Sequence, residues 1–261
     1  MTWWSRRGTW SCDRGGFKDH FSDRAADYAA DRPSYPVALV DFLAGAVSRH
    51  GVAWDAGAGS GQLSVLLADR FERVVATDAS AAQLAHAVPH PRVEYRCAPA
   101  EASGLPAGAA DLAVAAQAAH WFDIEGYYAE VRRVGRPGGV IALVCYELMH
   151  IDAALDLVIR DFYARVLGTY WPPERRHTET GYQSLPFPFA ELDAPRLEMR
   201  AEWNLAGALD YVDTWSAVRA LERAQGRAAL DGFRRDLARA WGPDQTARVI
   251  RWPLALRVGR L

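Results

Sequence analysis

Apolar positions along this chain follow two periods that take turns. Val52 to Ala56, Arg73 to Asp78, Val93 to Cys97, Asp111 to Ala116 and Val140 to Tyr146 are short apolar runs bounded by turn residues, which read as strands. Asp111 to Ala116 is small and apolar almost throughout, as expected of an internal strand buried on both faces. Helical spacing fills the gaps. Pro36 to Val47 opens on a proline and places Leu39, Val40, Leu43 and Val47 on one face. A second helix follows Gly61 with Leu63, Leu66, Leu67 and Phe71. Ser80 and Gln83 form a capping box for a third, which ends near Pro89, and a fourth spans Ile124 to Val134 ahead of Arg136-Pro137-Gly138-Gly139. Alternating units of this length predict an α/β fold: a mostly parallel sheet with helices on both faces.

After Tyr146 the pattern changes. Ala153 to Leu167 predicts an amphipathic helix, Tyr170 to Phe189 is too rich in proline and aromatics to assign, and Leu197 to Leu205 alternates like a strand. Tyr211 to Trp241 reads as mostly helical and Trp252 to Val258 as a closing strand. The chain therefore divides into a flexible N-terminal extension (1–16), a ligand-binding core (17–146), a mainly helical insertion acting as a lid (147–241, with a core strand near 197–205) and a closing strand of the core sheet (242–261).

Chemistry concentrates at the end of the first strand. Asp55-Ala56-Gly57-Ala58-Gly59-Ser60-Gly61 is followed by a helix and then by a second strand ending in Asp78. Glycine allows a tight turn with a ligand lying against the backbone. Phosphate-binding loops space their glycines GxGxxG so that a pyrophosphate meets the helix N-terminus. Here the spacing is GxGxG, and the acid just before it disfavours phosphate and suits an amine. Asp78 can accept hydrogen bonds from both hydroxyls of a ribose. A cationic nucleoside without phosphate fits both features, which points to S-adenosylmethionine.

Composition narrows the rest. Thirty basic and 32 acidic residues give a formal charge of −2, with no basic run carrying interleaved aromatics, so nucleic acid is not expected as a partner. No segment approaches the length of a bilayer span, so no membrane partner is expected either. Cys12, Cys97 and Cys145 have no metal spacing, and their odd, sparse number suits a reducing cytoplasm, with Cys97 and Cys145 read as buried thiols. His86 and His90 are separated by a helix-breaking Pro89, and no metal site is expected.

Several ordered segments carry a resemblance. They are Tyr28-Ala29-Ala30-Asp31-Arg32-Pro33-Ser34-Tyr35-Pro36, the glycine loop, Ala76-Thr77-Asp78, Ala98-Pro99-Ala100-Glu101, Gln117-Ala118-Ala119-His120-Trp121-Phe122, Arg136-Pro137-Gly138-Gly139 and Trp171-Pro172-Pro173-Glu174-Arg175. From Phe17 onward the chain resembles the class I S-adenosylmethionine-dependent methyltransferases, in the small-molecule branch related to trans-aconitate methyltransferase. The resemblance implies a Rossmann-like, mostly parallel seven-stranded sheet, with S-adenosyl-L-methionine as cofactor and S-adenosyl-L-homocysteine as product. It implies cofactor contacts from Gly57, Gly59 and Gly61, from Asp55 toward the amino group, from Asp78 and Ala79 at the ribose, and from Ala100 and Glu101 at the adenine. Gln117 and Ala118 border the same site, and Tyr28 and Arg32 close over it, Arg32 facing the methionine carboxylate.

On the acceptor side the resemblance and the aromatic content single out Tyr35, His120, Trp121, Tyr146, Trp171, Arg175, Tyr182 and Trp215, with Trp203 a further part of an aromatic roof. His120 is a candidate general base, or else a packing residue. Arg175 with Arg176 reads as a carboxylate anchor or as a solvated pair, Glu101 as an adenine reader or a turn residue. The expected partner is a small planar acceptor methylated on a carboxylate oxygen or a heteroaromatic nitrogen, such as an azapteridine-like metabolite. A non-catalytic nucleoside-binding module and a nicotinamide-dependent oxidoreductase stay open as alternatives, as do monomer and homodimer.

Overall fold

The computed structural model describes residues 33–261. The proposed extension over 1–16, Tyr28, Arg32 and Cys12 lie outside the described residues. The first described helix, α1 (Val37–Ala46), starts after Pro36 as its spacing predicts and buries Leu39, Val40 and Leu43. Then follow β1 (Val52–Ala56), α2 (Gln62–Leu67), β2 (Arg73–Asp78), α3 (Ala81–Leu84), β3 (Val93–Cys97), β4 (Ala110–Ala116), α4 (Ile124–Val134) and β5 (Gly135–Tyr146). β1 to β5 form parallel ladders in the order β3-β2-β1-β4-β5. Because β1 and β4 are adjacent while their chain connections run to opposite sides, a crevice opens above their carboxyl ends.

The strands are buried on both faces. Ala53, Leu112, Val114, Val140, Ala142 and Val144 pack with α1 and α2 on one side. Trp54, Ala113, Ala115, Ile141 and Leu143 pack on the other with Tyr127, Tyr128 and Val131 of α4. This alternation is what the continuous apolar runs encode.

Beyond β5 come α5 (Ala153–Asp161), continued to Val166 by a π turn, short 3-10 turns, α6 (Arg176–Glu179), β6 (Ala190–Glu191) and β7 (Leu197–Trp203). The chain ends in α7 (Leu205–Asp213), α8 (Ser216–Gln225), α9 (Asp231–Trp241) and β8 (Arg248–Arg260). β8 runs antiparallel to β5 along Val140–Tyr146 and also pairs β6 and β7, so the sheet has eight strands rather than seven. The additional strand is the two-residue β6, too short to leave a periodic signal.

Three expectations need correction. α3 stops at Leu84, well before Pro89, although Ser80 does cap it by accepting from the Gln83 amide at 3.3 Å. The fifth strand starts at Gly135 and not at Val140, so Arg136-Pro137-Gly138-Gly139 belongs to β5. A bulge between Ala110 and Leu112 accommodates it, with Gly138 at φ 78°. Cys97 is half-buried and disulfide-bonded, not a buried thiol, whereas Cys145 is free and fully buried. Among the described residues no helix is long and apolar enough to cross a membrane, and no cluster of three or more His, Cys, Asp or Glu could hold a metal.

Candidate active site

The glycine loop leaves β1 and folds back on β2, with the Gly57 and Ala58 amides both donating to Thr77 O at 2.8 and 3.0 Å. Gly57, Gly59 and Gly61 have φ of 68°, 56° and 80°, in the left-handed region that a side chain disfavours. A Cβ on Gly57 would stand 2.5 Å from the Ala118 Cβ, and one on Gly61 would collide with the Tyr95 phenol. At Gly57 and Gly61 the loop therefore packs so closely on Ala118 and Tyr95 that only glycine fits.

Two carboxylates flank it. Asp78, at the end of β2, accepts from the Gly59 amide and the Ser80 amide, each at 2.8 Å, so it ties the loop to the strand end. Asp55 is 1% exposed, and among the described residues the Ser64 hydroxyl at 2.6 Å is its hydrogen-bond partner. Burial raises its pKa to about 7; the Ser64 hydrogen bond opposes this and the nearby Asp78 charge adds to it. A desolvated carboxyl with no paired cation among the described residues suits a ligand carrying an ammonium and a sulfonium. Asp78→Ala is expected to weaken binding of S-adenosylhomocysteine by about 1–3 kcal/mol through lost charge-assisted hydrogen bonds. It is also expected to lower the melting temperature by freeing the loop. Titration calorimetry and thermal unfolding check the two effects separately.

At the adenine side Ala79 follows Asp78 directly and Ala100 is buried. Glu101 spends one carboxylate oxygen on the Asp123 amide at 2.9 Å, ahead of α4, which favours a bracing role over the adenine reading. Gln117 and Ala118 leave β4 against the loop. Gln117 adopts φ 54°, unusual for a side-chain-bearing residue, and its Oε1 accepts from the Tyr146 amide at 3.0 Å.

A cleft open to solvent lies beside the loop. Its floor comes from Gln117, His120, Trp121 and Tyr146, and its roof from Trp171, Pro172, Arg175, Tyr211, Trp215 and Ser216 of the inserted segment. Expected residues on both sides of the cleft thus meet, while others do not. Tyr35 is buried in the core and does not line the cleft. Tyr182 is fully buried and reaches the cleft only through His120, whose Nδ1 lies 2.9 Å from its hydroxyl. Trp203 packs on Trp252 and Tyr211 instead. Arg176 is exposed, so the Arg175–Arg176 pair splits between cleft and solvent. Sequence reasoning missed Tyr211 and Ser216. Tyr211 sits at an ordinary apolar helix position and Ser216 at a helix start, and neither carries a local signal.

His120 is 7% exposed, and its pKa falls to about 3, chiefly through burial and secondarily through the positive Arg175 and His177. Burial thus holds the ring in its neutral form. Arg175 lays its guanidinium over Trp171 and Tyr163, at 5.0 and 5.9 Å from the ring centroids, and donates Nε–H to the Tyr163 hydroxyl at 3.2 Å. That hydroxyl in turn donates to Glu179 at 2.6 Å.

Comparisons with known proteins agree with this geometry. A sequence family described as a methyltransferase domain matches residues 54–143. A Dictyostelium discoideum protein named as a methyltransferase is 30% identical over 229 residues, covering 86% of this chain and 87% of that one. An uncharacterised methyltransferase of Mycobacterium tuberculosis is 35% identical over 135 residues, which is 51% of this chain and 55% of that protein. A solved structure from Anaeromyxobacter dehalogenans, named as a type II methyltransferase, is 48% identical with a TM-score of 0.83, covering 88% of this chain and 97% of that one.

Proposed function

Because the chain belongs to the class I S-adenosylmethionine-dependent methyltransferases, we propose that it methylates a small planar molecule held in the aromatic cleft. The observation that carries this reading is the position of the cleft: it adjoins the glycine loop through Gln117 and Ala118 and is walled by Trp121, Trp171, Tyr211 and Trp215. Bound S-adenosylmethionine supplies a methyl group already activated on a sulfonium. Gly57, Gly59 and Gly61 would hold its methionine end, with Asp55 toward the amino group and Asp78 toward the ribose.

The remaining work is geometric. The chain must align an acceptor lone pair with the sulfonium methyl and exclude water, and such positioning supplies about 7–11 kcal/mol of a barrier. Aromatic walls suit it, since their faces tolerate a cationic centre and leave little room for solvent. With a carboxylate the opposite charges cancel, and with a neutral ring nitrogen the positive charge passes from sulfur into the aromatic ring, so an apolar aromatic cleft does not oppose either transfer. Residues 147–241 act as the lid, since Trp171, Arg175, Tyr211 and Trp215 all come from there.

A carboxylate oxygen or a heteroaromatic nitrogen is the favoured nucleophile, because both offer a lone pair without a base. Incubation with S-adenosylmethionine and a library of planar carboxylic acids and N-heterocycles should release S-adenosylhomocysteine with some of them. Turnover confined to proteins or nucleic acids would refute the small-molecule reading.

A further inference from the structure

The cleft is one-sided in its chemistry. Among the described residues no aspartate or glutamate lines it, and Arg175 is the one formally charged wall. Among the described residues no carboxylate lies within ion-pair distance of Arg175, whose Nε donates to the neutral Tyr163 hydroxyl. Glu179 is linked to it through that hydroxyl and not by a direct ion pair, so its charge is only indirectly balanced at the cleft. Surface arginines elsewhere in the chain are commonly paired, as Arg234 is with Asp213 and Arg70 with Asp41.

The tautomer of His120 follows from the hydroxyl behind it. Tyr182 is fully buried, and a buried phenol must place its hydrogen on an acceptor or lose about 1–3 kcal/mol. The acceptor within reach is His120 Nδ1 at 2.9 Å. Nδ1 thus accepts, and in the neutral ring the hydrogen resides on Nε2. The titratable groups that act on this ring are Arg175, His177 and Tyr182; the Arg175 charge opposes protonation, and His177, itself pushed toward its neutral form by burial and Arg176, adds to this only when protonated.

Tyr182 is held in place against its own backbone preference. Its φ is 63°, beside Gly181 at 56°, a conformation costly for a tyrosine. Arg257 of β8 fixes it there, donating to Tyr182 O at 3.1 Å and to Leu185 O at 2.8 Å while pairing with Glu191. A strained residue clamped from the sheet and aimed at one ring nitrogen is an arrangement for orienting that ring.

We propose that Tyr182 is a positioning residue that locks His120 as a neutral hydrogen-bond donor, its Nε2–H facing the cleft beside the Arg175 guanidinium, so that the cleft selects acceptors carrying an oxyanion. The proposal rests on the methyltransferase reading and narrows its acceptor class. The oxyanion arrives already ionised, so no proton leaves during transfer and His120 takes none.

Nitrogen-15 NMR of the full chain labelled at histidine, saturated with S-adenosylhomocysteine, tests the lock. His120 is assigned by its loss in His120→Gln. The expected spectrum shows a bare Nδ1 and a protonated Nε2 that do not titrate across the neutral range, and Tyr182→Phe should shift the ring toward a mixture of tautomers. A protonated Nδ1, or a ring that titrates near its ordinary pKa, would overturn the proposal. Benzoate and benzamide then probe the anion preference on the same sample. Benzoate should perturb the Nε2 signal and benzamide should not, and Arg175→Gln should weaken the benzoate response by at least about tenfold. No response to benzoate, or an equal response to benzamide, would equally overturn it. Failure of S-adenosylhomocysteine to bind would strike the methyltransferase reading instead, so the two failures are distinguishable.

Discussion

Gly57→Ala is expected to cost about 2–4 kcal/mol of folding stability, the sum of a backbone penalty and a collision, and to weaken S-adenosylhomocysteine binding because the loop must shift to relieve them. At φ 68° an L-residue is disfavoured by about 1–2 kcal/mol. The new methyl would also stand 2.5 Å from the Ala118 Cβ, where carbon atoms prefer about 3.5–4.0 Å. Ala118 has little room to withdraw, since it follows Gln117 in its own left-handed conformation and is buried against the loop. Gly108→Ala separates the two effects. Gly108 has a similar φ of 63°, but its added Cβ would meet nothing within 4 Å. That variant should lose stability by about 1–2 kcal/mol and keep its affinity. Calorimetry and urea unfolding on both variants check this, and a Gly57→Ala protein that binds like the parent would remove the loop from the site.

Asp55→Asn is expected to move stability and affinity in opposite directions. In the folded chain burial holds the Asp55 pKa near 7, against 3.8 for the ordinary group. The folded state therefore keeps a proton that the unfolded chain releases, and stability from this group falls as pH rises from about 4 to about 7, then levels. Asparagine has no charge to desolvate and can still accept from Ser64. Above pH 7 the variant should be more stable than the parent by about 2–4 kcal/mol, with the gain shrinking toward zero near pH 4. Affinity for a ligand bearing an ammonium should fall, because its countercharge is gone. Urea melts at several pH values and calorimetry read the two effects. A variant less stable above neutral pH, or unchanged in binding, would contradict the assignment of Asp55.

Much of the core was legible because its signals are local. Val93–Cys97 and Ile124–Val134 fall where the apolar period places them, and β1 and β2 likewise. β5 was legible only in part: its first residues depend on a bulge opposite Ala110, which no local pattern encodes. The stretch from Tyr170 to Phe189 could not be assigned because remote contacts hold it. Arg257, far along the chain, fixes the carbonyls of Tyr182 and Leu185. The glycine loop and Asp78 were readable as chemistry, since left-handed glycines and a strand-end acid each leave a residue-type signature. The acceptor cleft was readable as a set of aromatics but not as a shape. Trp203 and Trp171 look alike in sequence, yet one packs on Trp252 while the other roofs the cleft. Arg175 and Arg176 are neighbours, and only their place at the start of α6 decides which faces inward.

The most direct measurement is calorimetric titration of the full chain with S-adenosylhomocysteine, beside a parallel titration with reduced nicotinamide dinucleotide. The account predicts saturable heat at one site per chain for the first ligand, weakened in Asp78→Ala, and none for the second. Absence of heat with S-adenosylhomocysteine at protein concentrations well above micromolar, or an Asp78→Ala protein that binds it undiminished, would contradict it.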